Sequence, residues 1–309
     1  MQIGILEPDG FSAEAIDILQ RVGNVSTYDG ADLNQFLFNL EAVFIRLGYM
    51  IDKEFLDLAP KLRFICSPAT GLTHLDQQAI SQRGLSLLTL KGEKEFLQTI
   101  RATPEHTFGL LLALLRNYPR AFAMTAGGVW NRDECRGVEL AGRRVGIVGL
   151  GRVGTQVAKY CDAFDADVSY YDPDSIQTSS NWRQCDDLKM LIKESQIIIL
   201  CANYNFGQEF IFSQDEIALM VGKYFINTAR GELVEERCLL EAIRRDKFAG
   251  VAVDVIVDEN KNNRLSEWAQ LMEAHNVIVT PHIGGATFEA MAKTEVFIAR
   301  KLRALMLGN

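Results

Sequence analysis

At 309 residues the chain is long for a single hydrophobic core, and two domains are the natural expectation. Its 48% apolar and 23% charged content is ordinary for a globular protein and excludes a disordered or fibrous one. Forty acidic against 32 basic residues give a net charge of −8, and no run of Lys or Arg occurs, which argues against a nucleic-acid or anionic-membrane surface.

The first residues, MQIGILEPDGF, lack a basic stretch followed by an apolar one, so no secretory signal is expected. Ile3 to Leu6 reads as a strand and Ala13 to Val22 has helical spacing. Ala42 to Arg46 and Arg63 to Cys66 read as further strands, the second leading into Pro68-Ala69-Thr70-Gly71-Leu72. Leu75 to Gln82 then reads as helix, closed by Gly84, and Leu85 to Leu88 as strand. Such alternation predicts a mostly parallel sheet with helices on both faces.

From Thr103 the pattern changes. Thr103-Pro104-Glu105 reads as a helix start, and the helix continues through Phe108 to Leu115, apolar nearly all round. Such a helix has to be covered on every side, either inside a core or in a subunit interface, and because it joins two expected lobes the interface is the favoured reading. The run is too short to span a bilayer, with Glu105 and Arg116 beside it.

The stretch Arg144 to Asp172, RVGIVGLGRVGTQVAKYCDAFDADVSYYD, is the most informative in the chain. Val145 to Val148 reads as a buried strand, followed by Gly149-Leu150-Gly151-Arg152-Val153-Gly154 and then by helix spacing at Val157, Ala158, Cys161 and Phe164. A second strand, Val168 to Tyr171, ends in Asp172. Strand, glycine turn, helix, strand and acid form a dinucleotide-binding pattern. Gly149 permits the tight turn, Gly151 lets the backbone approach a pyrophosphate, and Gly154 lets helix and strand pack closely. The helix N-terminus presents free N–H groups and a positive dipole end to the phosphates. Asp172 would accept hydrogen bonds from the adenosine ribose and, with Asp174, repel a 2′-phosphate, so NAD rather than NADP is expected.

After Asp172 the alternation resumes, with strands expected at Ile197 to Cys201, Tyr224 to Asn227, Gly250 to Val253 and Val277 to Thr280, and a helix at Val234 to Arg245. The last helix, Ala286 to Leu307, is expected to return to the first lobe. The expected division is residues 1–97 with 284–309 as a substrate domain and 98–283 as a dinucleotide-binding domain, with ligands in the cleft between them. Six scattered cysteines form no CxxC pair and no zinc spacing; several lie in apolar stretches and read as small buried hydrophobes. No metal is expected, and the cysteine usage fits a reducing cytoplasm.

Three polar residues follow strand ends on the nucleotide side: Arg230 in NTARG, Glu259 five residues past Asp254, and His282 in TPHIGG. In open α/β sheets the strand C-terminal ends form the ligand crevice, so the three are expected to converge there. His is the side chain best suited to give a proton near neutral pH. A carboxylate beside it would orient the ring and favour the imidazolium, and Arg offers a rigid fork to a substrate carboxylate that Lys would not match. Taken alone, a His after a strand is more often structural; His106 reads as packing or capping near a helix start, His74 as a helix start that lines the cleft, and His275 as solvent-facing.

These segments carry a family resemblance. Thr70 to Asp76, Ala102 to Asn117, Val138 to Gly154, Asn227 to Glu235, Gly250 to Glu259 and Thr280 to Thr287 together resemble the D-isomer-specific 2-hydroxyacid dehydrogenases, which include phosphoglycerate dehydrogenases, glyoxylate/hydroxypyruvate reductases and D-lactate dehydrogenases. The resemblance implies two lobes, one Rossmann-type and one flavodoxin-like, and a homodimer formed through the NAD domain. It implies Arg230, Glu259 and His282 as the catalytic residues, acting on a small 2-hydroxy or 2-oxo acid. It also implies Thr228, Ala229 and Asp254 as cofactor contacts beside Arg152 and Val153, and Thr70, Gly71, Leu72 and Arg46 as substrate contacts.

Several positions depart from the family pattern. Asn260 stands where Pro is frequent and Ile256 where Phe is common. The Cys201-Ala202-Asn203-Tyr204-Asn205 loop lacks the usual Pro, and Lys91-Gly92-Glu93 replaces a frequent Gly-Gly-Asn. Ser67 stands in place of a second Arg found in phosphoglycerate enzymes, leaving Arg46 alone at the position used there for phosphate. Two functions from different classes fit this chain: an NAD-dependent dehydrogenase of a small D-2-hydroxy acid, and a non-catalytic NAD-sensing or corepressor-like scaffold on the same fold. Formate dehydrogenase fits less well, because that branch has Gln where Glu259 stands.

Overall fold

The computed structural model describes residues 1–174, 178, 180–204, 207–259 and 263–308; Asn205 and Asn260, two of the positions that depart from the family pattern, lie outside the described residues. The chain divides into two compact units, Met1–Ile100 with Ala286–Asn309, and Arg101–Gly285. The sequence-based division fell at 97/98 and 283/284. Each unit is an α/β sandwich around a parallel sheet.

In the first unit the strands are β1 (Gln2–Ile5), β2 (Asn24–Thr27), β3 (Ala42–Phe44), β4 (Phe64–Cys66) and β5 (Ser86–Leu88). They lie in the order β2-β1-β3-β4-β5 with every pairing parallel, the flavodoxin-like arrangement. Between them run α1 (Ala13–Gln20), α2 (Leu33–Leu37), α3 (Lys53–Leu58) and α4 (Gln77–Gln82), with α5 (Lys94–Leu97) after β5. Strand side chains alternate between two cores. Ile3, Ile5, Ala42, Phe44, Phe64 and Cys66 face one side, where Leu19 of α1 lies; Val43 and Ile65 face the other, with Leu37, Phe55, Leu56 and Ile80. Short α2, α3 and α4 are each begun by an aspartate (Asp32, Asp52, Asp76) whose side chain accepts an N–H of the first turn.

The second unit begins with α6 (Ala102–Leu115) and α7 (Tyr118–Ala126). Then follow β6 (Arg144–Val148), α8 (Arg152–Ala163), β7 (Asp167–Tyr171), β8 (Arg183–Gln184), α9 (Leu188–Glu194), β9 (Ile197–Leu200), α10 (Gln214–Ala218), β10 (Tyr224–Asn227), α11 (Glu236–Arg244), β11 (Gly250–Val253), α12 (Leu265–Ala274) and β12 (Val277–Val279). Seven parallel strands lie in the order β12-β11-β10-β9-β6-β7-β8. Strand order reverses between β6 and β9, and the loops after those two strands flank that switch point.

The α6 expectation needs correction. Leu110, Leu111, Leu114 and Leu115 pack into this unit's own core beside Val145, Ile147, Ile199 and Ala252, so the apolar helix is used to cover the sheet. Exposed apolar side chains lie instead on the following helix: none of the residues of α7 is buried.

The chain then returns to the first unit as α13 (Phe288–Leu307). Thr287 caps it, its Oγ1 accepting Ala290 N at 3.1 Å, and Gly308 in the left-handed region (φ 74°) ends it. Val296, Ile298, Ala299 and Leu302 complete the core face shared with α1. Cys66, Cys161 and Cys185 are buried free thiols. Among the described residues no helix is long and apolar enough to cross a membrane, and no group of three or more His, Cys, Asp or Glu suits a metal ion.

Candidate active site

The glycine loop after β6 has the shape a pyrophosphate requires. Gly149 adopts φ +89°, and a side chain there would meet the Ala202 backbone at 2.7 Å. At Gly154 a Cβ would lie 2.0 Å from Gly149 O, so only glycine lets the first turn of α8 sit on the loop. Gly151 is different: a Cβ there would project into open space, and as N-cap of α8 it supplies no side-chain hydrogen bond. The helix therefore begins without a side-chain cap, with Arg152 and Val153 as its first residues. Asp172, just beyond β7, accepts Leu150 N on Oδ2 (2.8 Å) and Asp174 N on Oδ1 (3.0 Å). It thus closes the glycine loop while keeping lone pairs for a ribose hydroxyl, since a carboxylate accepts about four hydrogen bonds. These residues fit a dinucleotide.

Three loops follow β10, β11 and β12 and carry Arg230, Glu259 and His282. Asn227, buried at the end of β10, donates Nδ2 to Arg230 O (3.0 Å) and accepts Ala229 N on Oδ1 (3.0 Å), which closes the turn holding Arg230. Arg230 Nη1 donates to Ala229 O at 2.6 Å. The next residue, Gly231, lies so close to the backbone of Ile256 and Val257 that a Cβ would come within 2.3 Å of it, so the Arg230 and Glu259 loops abut. The electrostatics of Glu232 show the same closeness. Burial pushes its carboxyl up, its own backbone N–H and Arg230 pull it down, and Glu259 and Asp258 act in the same direction as burial.

The Glu259 loop is tied down by Glu236 of α11, whose Oε1 accepts both Trp268 Nε1 (3.0 Å) and Val257 N (3.3 Å). Asn263 Nδ2 donates to Glu259 O at 2.8 Å. Glu259 Oε2 lies 2.6 Å from His282 Nδ1. An ionised carboxylate only accepts, so the hydrogen of this bond is carried by Nδ1. His282 itself sits at φ +53°, a left-handed backbone that His, Asn and Asp adopt more readily than most residues.

Asp254 stands where the family resemblance implies a cofactor contact. It is 2% exposed, and its carboxylate points into the protein. Oδ1 accepts the Thr280 hydroxyl (2.5 Å) and Ile283 N (2.9 Å), and Oδ2 accepts Gly284 N (2.7 Å), while its backbone O accepts His282 N (2.9 Å). Burial alone would raise its pKa, but the donors from His106, Thr280, Ile283 and Gly284 outweigh burial and hold the carboxyl below its usual range. Asp254 is therefore the anchor of the His282 loop. Thr228, nearly buried, shares a 2.7 Å hydroxyl contact with Thr107 of α6. Asn227, Glu236, His106 and Thr107 were not singled out for these roles from sequence; a polar side chain beside a motif, or on a helix that packs against it, was the available signal.

In the first unit the 68–72 loop follows β4, with Thr70 exposed and Gly71 and Leu72 half-buried. Ser67 and His74, both buried, bracket it through a 3.2 Å Oγ–Nε2 contact, so His74 staples the loop and Ser67 is part of its support. Arg46, for which the resemblance implies a substrate contact, lies beyond β3. Its Nε and Nη2 donate to Oε1 of the fully buried Glu295 (3.0 and 2.6 Å), and Nη1 donates to Asp9 O (2.9 Å). Its charge is neutralised inside the unit, so it is not a free cation for a substrate anion. His275 is held by Asp246 at 2.8 Å.

Comparison with known proteins bears on the same segments. The family profile described as D-isomer specific 2-hydroxyacid dehydrogenase, NAD binding domain, matches residues 108–284, more than half of the chain. The D-3-phosphoglycerate dehydrogenase of Methanocaldococcus jannaschii is 30% identical over 314 residues, which cover 99% of this chain and 58% of that protein. The chain thus spans little more than half the length of that relative. The glyoxylate reductase of Pyrococcus furiosus is 29% identical over 281 residues, 88% of this chain and 81% of the relative. Among solved structures, the TT0316 protein from Thermus thermophilus superposes with a TM-score of 0.85 at 26% identity, covering 100% of this chain and 98% of that one.

Proposed function

The chain belongs to the D-isomer specific 2-hydroxyacid dehydrogenases, and from that premise we propose that it interconverts a small D-2-hydroxy acid and its 2-oxo acid with NAD(H), His282 being the general acid and base. The observation that carries this reading is the 2.6 Å bond from His282 Nδ1 to Glu259, on a loop anchored by Asp254. NADH, when bound, supplies the hydride that reduces C2 of the oxo acid. The chain's residues do the rest. His282 gives the Nε2 proton to the oxygen developing on C2 and, in the reverse direction, takes it back. Glu259 orients the ring through Nδ1. Arg230 presents a two-pronged donor to the substrate carboxylate. From the first unit we assign the Thr70–Leu72 loop to substrate binding on the family likeness; Arg46 is left out because Glu295 holds it.

A panel of 2-oxo acids bearing hydrogen, alkyl, hydroxymethyl and phosphorylated side chains, assayed by absorbance with NADH and NADPH in parallel, tests the proposal. Turnover is expected with NADH on unphosphorylated members, and at least about a tenfold preference over NADPH, because Asp172 repels a 2′-phosphate at a distance where about 1.4 kcal/mol is readily reached. No turnover of any member would sink the enzyme reading in favour of the NAD-binding scaffold.

We also propose a homodimer formed through the second unit. It is supported by the outer face of α7 and the loop after it, where Phe122 is 64% and Trp130 92% exposed and the Tyr118 and Phe122 rings lie 5.2 Å apart. Exposed aromatic side chains of this kind mark a contact between proteins. The double substitution Phe122→Glu and Trp130→Glu is expected to reduce the mass seen by light scattering from twice 34.6 kDa to that value. An unchanged mass would refute this face as the interface.

A further inference from the structure

Two adjacent residues of α6 reach two different loops. Thr107 Oγ1 donates its one hydrogen to Thr103 O (2.7 Å), so the 2.7 Å contact with Thr228 is donated by Thr228, on the loop that carries Arg230. His106 Nε2 lies 3.1 Å from Thr280 Oγ1 and 3.2 Å from Asp254 Oδ1, on the far side of the loop that carries His282. The Thr280 hydroxyl has given its hydrogen to Asp254, and Asp254, held ionised by its donors, has none to give. Nε2 of His106 is therefore the N–H end of the ring and donates to both. The loop closes directly on this turn of the helix: a Cβ at Gly284 would sit 2.9 Å from Asp254 Oδ2, 3.4 Å from Thr103 Cγ2 and 3.8 Å from His106 Cδ2.

We propose that His106 is a positioning residue for His282. By donating through Nε2 to Asp254 and Thr280 it fixes the 280–284 loop, and with it the left-handed backbone on which the imidazole of His282 is mounted. Without that donor the buried carboxylate keeps only its hydroxyl and backbone partners, and the loop is free to settle around them differently. Misplacing an acid by about 1 Å can cost on the order of a hundredfold in rate, so a small resettling is enough. This inference rests on the reading of His282 as proton donor, but its test need not.

The chain has only four histidines, so the imidazole ¹⁵N resonances can be assigned by single substitutions. In His106→Leu the His282 resonances at fixed pH are expected to be displaced while those of His275 stay in place. The turnover number should fall by about tenfold or more, with KM for NADH within about twofold. His106→Gln, whose side-chain amide can place an N–H near that of Nε2, is expected to return the resonances and to restore turnover to within about threefold. If the Leu protein does not fold, His106→Asn, whose amide is too short to reach, takes its place with the same expectation. Unmoved His282 resonances, or a loss that Gln does not restore, would overturn the proposal. If the unsubstituted protein turns over no 2-oxo acid, the dehydrogenase reading fails by itself and the resonance comparison still decides the positioning role.

Discussion

Substituting Asn for His282 is expected to lower turnover by about 10²–10⁴ while leaving the dissociation constant of NADH within about twofold. Asn is the informative replacement for two reasons. Position 282 has φ +53°, a region Asn adopts with little strain, so the loop keeps its path. The amide nitrogen of Asn also falls near the place of Nδ1, so the bond to Glu259 can persist while Nε2 alone is removed. A change that spares backbone, partner and dinucleotide yet removes the exchangeable proton isolates acid–base catalysis from positioning. Turnover reduced by less than tenfold would rule out His282 as the proton donor.

The second large effect is expected at the glycine loop, where two substitutions separate a phosphate cradle from an ordinary turn. Gly154→Ala would place a methyl 2.0 Å from Gly149 O, a backbone atom that cannot swing away. Overpacking of this kind costs about 1–3 kcal/mol, and at roughly 2–4 °C per kcal/mol for a unit of this size both melting temperature and NADH binding should suffer. Gly151→Ala adds its methyl to open space at a φ of −71°, which any residue accepts. Its melting temperature should stay within about 2 °C, because substitutions away from packed features are usually within about 0.5 kcal/mol. NADH affinity should still fall by about tenfold or more, a loss of about 1.4 kcal/mol, because the methyl fills the volume where phosphate meets the α8 N–H groups. NADH bound by the Gly151→Ala protein as tightly as by the parent would refute the cradle.

Much of the architecture was readable because buried parallel strands are apolar on both faces. The runs at Val145–Val148, Ile197–Leu200 and Gly250–Val253 announce themselves, and the polar residues beyond β10 and β12 stand out against them. Edge strands do not. In β2 only Val25 is even half-buried, and β8 is the fully exposed pair Arg183–Gln184, so neither shows a pattern. The inward turn of Asp254 was hidden for another reason: a strand-end acid looks the same whether it faces a ligand or collects hydrogen bonds from its own loop. The capture of Arg46 by Glu295 joins residues 249 positions apart, and no local spacing reports such a pair. His106 was read as packing near a helix start because its partners, Asp254 and Thr280, lie just past β11 and β12 and become visible only when the strands are assembled.

The Arg46–Glu295 pair and the apolar face of α13 have a consequence for synthesis of the protein. One side of the first sheet stays without Val296, Ile298, Ala299 and Leu302 until α13 has left the ribosome, and Arg46 waits equally long for its counter-charge. Residues 101–285 by contrast hold both faces of their sheet within one unbroken stretch. The nucleotide-binding unit is therefore able to mature during translation before α13 is made, whereas the unit holding β1–β5 becomes complete only with α13.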